Sequence, residues 1–267
     1  MKKIKQVQSF FKNHPFIFAF FVLVVSRIAG MVTIQIIQAI RPDLTVQDHL
    51  GWLLMTVYAC TVVSLVYWTD TAKEIGLRMP KSYKEWLLFL PVLIIPLFIL
   101  SQNGISSWGI AQNLVLLIAA IGVAVNEEVL FRGVLIRGFM KWGKWVTVLV
   151  PSIIFALAHS TNTFVGGDTT YALYQTLWTF AGAIMLTAFR IVTNSLYPLI
   201  VFHFILDFVE YFSTGNYGVH AEPFSTSLLI PIAIMSFGLM IYSLILLYKN
   251  SARDRSVKDE RVYLYKN

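Results

Sequence analysis

The sequence predicts an all-α, polytopic transmembrane helix bundle of about eight spans, with both termini cytoplasmic, and three observations carry that expectation. Of its 267 residues, 57% are hydrophobic and only 13% charged, which is too apolar for an ordinary soluble domain. Apolar stretches of membrane-spanning length recur along the whole chain. Lys and Arg gather in alternate connecting segments, the asymmetry that orients membrane proteins. The same placement explains the net charge of +7 without nucleic acid as a partner, because the basic residues sit in tails and loops.

Taken in order, the spans are set by apolar length and by their punctuation. The first runs from Phe16 to Ile40 behind Lys2, Lys3, Lys5 and Lys12, without a small-x-small cleavage site, so it reads as an uncleaved span rather than a signal peptide. Arg27 interrupts it and is expected to face the bundle or to snorkel. Gly51 to Trp68 gives the second span; its Cys60, the single cysteine, can form no internal disulfide and reads as a small buried hydrophobe. Trp86 to Leu100 gives a short third span, kinked by Pro91 and Pro96. Ile110 to about Met140 is a long fourth that leaves the membrane at its end. Trp145 to His159 is the fifth, Tyr171 to Val192 the sixth, Leu196 to Phe212 the seventh and Ser227 to Tyr248 the eighth.

The loops test this count separately. The N-terminal tail, the segment with Lys73, Arg78, Lys81 and Lys84, the turn with Arg137, Lys141 and Lys144, and the charged tail from Lys249 are expected inside. Segments Ser101 to Gly109, Ser160 to Thr170 and Ser213 to Ser225 contain no Lys or Arg and are expected outside, with Arg41 the one exception. Trp142, Trp145 and Tyr248 read as interface anchors, Gly166-Gly167-Asp168 as a loop, Glu210 as a rim residue, and His14, His49 and His220 as lying outside the spans. No repeat or linker divides the chain, so residues 1–267 are expected to form a single integral membrane domain.

Polar residues stranded inside the spans carry the chemistry. Asn126 to Gly133, NEEVLFRG, places Glu127, Glu128 and Arg132 directly after an apolar run. Each such charge at mid-bilayer costs roughly 2.5 to 3.5 kcal/mol on insertion scales, so they need partners. Glu128 and Arg132 are i and i+4, on one helix face, while Glu127 points about 100° away. Phe155 and His159 share a face in the fifth span, and His203 and Asp207 share one in the seventh. A desolvated glutamate suits a general base, an imidazole can help hold a water, and a second histidine with a neutral acid can donate to an oxyanion. A zinc ion held by Glu127, His159 and His203 is the alternative. The chain has no HExxH and no GxSxG.

These residues resemble the motifs of the CPBP family, the CAAX prenyl proteases and bacteriocin-processing enzymes of Abi type. NEEVLFRG matches its EExxxR, FALAH at Phe155 to His159 its FxxxH, and HFILD at His203 to Asp207 its third motif, HxxxN or HxxxD. The resemblance covers about Trp86 to Phe212, and IGLRMPKSYKEW resembles the family's lead-in segment. It implies an intramembrane endopeptidase of eight helices with a cavity opening towards the cytoplasm, hydrolysing a peptide bond near the cytoplasmic membrane face. Residues 86–212 would be the protease core and 249–267 a charged cytoplasmic tail. By position, Glu127 would activate water together with His159, His203 and Asp207 would stabilise the oxyanion, and Glu128 and Arg132 would support them. Many relatives have asparagine at Asp207; a carboxyl donates a hydrogen bond only when protonated.

No cofactor is required on this reading, Zn2+ being the alternative. The expected partners are membrane lipids and a peptide or lipopeptide substrate, and the expected location is the plasma membrane. A non-proteolytic immunity or scaffold protein, or a proton-coupled transporter, is the competing reading, weakened by the intact motif residues and the lack of inverted repeats. Depth strains the site: His203 lies roughly 12 Å from the start of its span and His159 about 21 Å from the start of its own.

Overall fold

The computed structural model describes residues 2–161, 168–215, 217 and 226–264. Helix α1 spans Lys2–Asn13, α2 Pro15–Ile40, α3 Gly51–Trp68, α4 Ile94–Asn103, α5 Ile110–Glu127, α6 Lys144–Ser160, α7 Thr169–Thr193, α8 Tyr197–Thr214 and α9 Thr226–Leu264. Beyond Glu127 the chain continues without a break through a π-helical segment, Glu128–Leu135, and two short turns to Trp142.

Among the described residues, five helices are long and apolar enough to cross a membrane: Pro15–Ile40, Gly51–Trp68, Ile110–Trp142, Thr169–Thr193 and Ser227–Asn250. The expectation of about eight spans is therefore corrected to five, and with an odd count two cytoplasmic termini no longer follow. Each missing span has a local cause. The expected third is broken by a 3-10 turn at Leu90–Leu93 around Pro91, leaving the short apolar helix Leu90–Asn103. The expected fifth is present as Lys144–Ser160, one residue longer at each end than expected, but its 17 residues after Gly143 at φ 90° keep it among the shorter apolar helices. The expected seventh, α8, carries His203, Asp207 and Glu210 within 18 residues, polar groups that lower its hydropathy.

Close helix approach holds the bundle together, as expected where lipid supplies no hydrophobic drive between helices. A Cβ on Gly122 would lie 3.1 Å from the backbone of Met55 and Thr56, and one on Gly133 3.1 Å from Ile75 and Leu196. Buried Phe18, Val22, Val62, Val66, Val129 and Phe189 continue the packing from α2 across to α7. Cys60 is exposed on α3, which corrects its reading as buried.

Basic and acidic side chains are tied together at one end of the bundle. Lys12 lies 3.1 Å from Glu74, and Arg137 lies 2.7 Å from the same carboxylate. Hydrogen bonds to Glu74 hold the Lys12 ammonium above its usual range. Arg41, the exception to the loop pattern, pairs with Asp43 at 2.6 Å, and its hydrogen bonds hold that exposed carboxyl down to about 2.

The lead-in segment around Gly76 has a structural task, which is to brace the turn between α7 and α8. The Leu196 N–H donates to Gly76 O, Arg78 Nε to Asn194 O, and Ser195 Oγ to Arg78 O. Gly76, at φ 95°, is covered by the buried Arg190 guanidinium, whose Nε donates to Ile75 O. This clamp fixes where α8 starts, and hence the height of His203.

Candidate active site

Glu127 and His159 stand the same number of residues before and after Gly143, 16 each, so along a helical hairpin both lie roughly 24 Å from the turn. The depth mismatch expected between His159 and His203 is not seen, since both rings line one cavity. α8 starts higher, beside Gly76, and brings His203 to the same level within two turns.

The acidic motif sits where the α-helix widens into the π segment, in which the Ile136 N–H reaches back five residues to Phe131 O. Nothing in the residue types announces this change of winding. Glu128 is fully buried, and its Oε1 accepts from Arg132 Nη1 at 3.1 Å and from His203 Nδ1 at 2.7 Å. The Arg132 guanidinium, 2% exposed, lies 3.9 Å over the Phe155 ring. Phe155 in turn packs its ring 4.6 Å from that of His159. The aromatic residue of the second motif is thus the platform that joins Arg132 to His159, a role its helical spacing alone did not reveal.

Glu127 behaves differently. Its side chain keeps 20% exposure, and its Oε2 lies 3.8 Å from His203 Nε2, beyond hydrogen-bond range. Asp207 Oδ2 is 3.6 Å from the same nitrogen and is buried without a hydrogen-bond partner. Glu127, Arg132, His159, His203 and Asp207 line one cavity of about 160 Å³, whereas Glu128 does not reach it. Every residue expected at the site is therefore here, five on the cavity wall and one behind it.

Two tautomers follow from the hydrogen bonds. His159 Nδ1 is 3.0 Å from Phe155 O, and a carbonyl can only accept, so Nδ1 carries the proton and a neutral ring offers Nε2 as acceptor. His203 Nδ1 donates to the Glu128 carboxylate, which leaves Nε2 facing Glu127 and Asp207.

Of the rest of the lining, only Glu210 was singled out from the sequence, as a rim residue. Tyr171 Oη donates to Glu210 Oε1 at 3.4 Å, so Glu210 belongs to the cavity wall, with Gln175 beside it on α7. Asp168 accepts from the Tyr171 N–H at 2.7 Å and caps α7; Gly166, Gly167 and His220 lie outside the described residues. From Glu127 and His203 the lining extends to Asn103 and Thr214, at the ends of α4 and α8 away from the Lys12 and Glu74 cluster. The remaining walls are mostly apolar, with Ile95, Trp178, Met185 and Leu206 among them and Thr179 and Ser236 as polar members.

A zinc site needs three or four converging ligands. Among the described residues no group of three His, Cys, Asp or Glu is placed to hold a metal ion. Glu127, His159 and His203 therefore do not fit the group that the alternative reading required, and no chemical step is derived through it.

Residues 109–209 match the family described as Rce1-like, Type II CAAX prenyl endopeptidase Rce1-like. The match covers the first motif, the second and the third. No curated protein and no solved structure matches the chain.

Proposed function

We infer that this integral membrane protein is an intramembrane endopeptidase in which Glu127 and His159 activate water. The observation that carries the reading is the division of one acidic pair: Glu128 is consumed by Arg132 and His203 behind the wall, while Glu127 faces the cavity with His159, His203 and Asp207. Water bound between the Glu127 carboxylate and the bare His159 Nε2 gives its proton to Glu127 as its oxygen attacks the peptide carbonyl carbon. The carbonyl oxygen becomes an oxyanion that accepts from the protonated Asp207 carboxyl and from Nε2–H of His203, whose ring is then an imidazolium because its Nδ1–H is donated to Glu128. Collapse breaks the C–N bond, and the leaving amine takes the proton from Glu127.

Glu128 and Arg132 act through geometry, since Glu128 orients His203 and Arg132 anchors Glu128. We assign residues 1–267 to one membrane domain, with 86–212 as its protease core and 249–267 as a charged tail. The substrate is a peptide or lipopeptide, and the membrane is the plasma membrane. Apolar walls around the polar floor support such a substrate.

The test is cleavage of a peptide library by purified, membrane-reconstituted protein, read by mass spectrometry with and without a chelator. Wild-type protein is expected to cleave, Glu127→Gln and His159→Ala to lose cleavage, and chelator to change nothing. Unchanged turnover in both variants would overturn the reading; loss with chelator would overturn the metal-free mechanism.

A further inference from the structure

Arg27, the charge that interrupts the first span, is left unused by the mechanism above. Its place follows from contacts at two heights. Near the basic end, Gly138 is pressed against Phe16, to whose ring a Cβ would approach within 2.7 Å. Higher up, Gly30 packs on Tyr58 and Leu54 of α3, and the neighbouring Met55 and Thr56 pack on Gly122 of α5. α2 therefore climbs as the long helix descends. Eleven residues on from Phe16 is Arg27, and eleven back from Gly138 is Glu127, so the two stand level.

The guanidinium is held in place. It lies 4.0 Å over the Tyr58 ring, and Tyr58 is seated so closely on α2 that a Cβ on Gly30 would lie 2.3 Å from it. Arg27 Nη1 is buried without a hydrogen-bond partner, and Arg27 does not line the cavity. Tyr58 is the first group that favours its charge, and the Glu127 carboxylate comes after it. Arg132 is thus in hydrogen-bond contact with Glu128, and the arginine level with Glu127 is Arg27, outside the cavity.

We propose that Arg27 is a positioning residue for Glu127: a cation fixed on Tyr58, outside the cavity, that holds the carboxylate in its water-activating orientation. This rests on the proteolytic reading for its consequence in turnover, but not for the placement itself. A full positive charge in an apolar bundle is costly unless a carboxylate offsets it, and Glu127 is the cavity carboxylate that stands level with Arg27. Displacing a general base by as little as about 1 Å costs on the order of 100-fold in rate.

Arg27→Met, Arg27→Lys and Tyr58→Leu separate charge from packing. In Arg27→Met, kcat for a cleaved library peptide falls about 10- to 100-fold with KM within about twofold of wild type, because the base is misplaced while the cavity wall is intact. Arg27→Lys keeps the charge and recovers most of the rate, and Tyr58→Leu, which removes the platform, falls between them. A purely structural role would lower the melting temperature of both Arg27 variants and leave their residual kcat equal. An infrared readout works without any substrate: the carboxylate stretch that Glu127→Gln removes shifts in Arg27→Met and is retained in Arg27→Lys. If wild-type protein cleaves nothing, the proteolytic reading fails while the infrared shift still decides the placement. Wild-type kcat in Arg27→Met, equal losses in Met and Lys variants, or an unmoved Glu127 band overturns the proposal.

Discussion

Glu127 and Glu128 are neighbours on one helix, yet one wall of the site encloses Glu128 completely while the cavity leaves 20% of the Glu127 side chain accessible. On the enclosed side, Glu128, Arg132, Phe155 and His203 form a chain of contacts in which the charge is answered at close range. On the open side, the nearest partners of Glu127 and Asp207 stand beyond hydrogen-bond distance. The same residue type therefore serves two ends. A carboxylate with both a cation and an imidazole on one oxygen is a structural member; a carboxylate facing a cavity without a tight partner is free to take and return a proton.

The largest expected effect breaks the two sides apart. Glu127→Gln should lower turnover by about 10²- to 10⁴-fold while leaving the melting temperature in detergent unchanged. Glu128→Gln should do the reverse in emphasis: removing one partner of a buried pair destabilises by about 3–5 kcal/mol, visible as a lower melting temperature, with activity lost as His203 loses its acceptor. A Glu128→Gln, Arg132→Met double variant should recover part of that stability, because no uncompensated charge remains.

Next comes the aromatic platform. Phe155→Leu keeps the apolar volume but removes the face under Arg132 and beside His159, and kcat is expected to fall about tenfold with KM unchanged. A comparable His159→Ala variant should lose more, and steady-state kinetics on the same peptide orders the two. For Asp207, an amide donates a hydrogen bond at every pH, so Asp207→Asn should stay within about tenfold of wild-type turnover while Asp207→Ala falls further. If Asn and Ala are equally poor, the oxyanion role of Asp207 is wrong.

The smallest effect lies outside the site. The Asp43 carboxyl is held at about 2 by exposed Arg41, below its unfolded value, so any stability it adds is present above that unfolded value and lost as pH falls through about 2. Because the pair is solvent-exposed, Asp43→Asn should leave both melting temperature and turnover unchanged at neutral pH.

Much of the site was legible because chemistry dictates residue type. Charges cannot sit in an apolar helix without partners, so Glu127, Glu128, Arg132, His159, His203 and Asp207 stand out from their surroundings, and the structure brings all six together. Winding and length were not legible. The π segment passes close to Ile75 and Leu196 at Gly133 without any residue type of NEEVLFRG announcing its winding, and apolar composition does not fix how long a helix will be. That is why eight apolar segments resolve into five long ones. Tyr171 and Gln175 escaped notice, and Glu210 was read only as a rim residue, because a polar residue near a helix end ordinarily faces solvent and only tertiary packing brings these to the cavity.

The central claim is that Glu127 activates water rather than attacking the substrate itself. A single turnover in water enriched in oxygen-18, followed by mass spectrometry of both product and protein, tests it directly. The account predicts one heavy oxygen in the new product carboxylate and none in the Glu127 side chain. Heavy oxygen in the Glu127 carboxylate would show that an anhydride had formed on it, and would contradict the account.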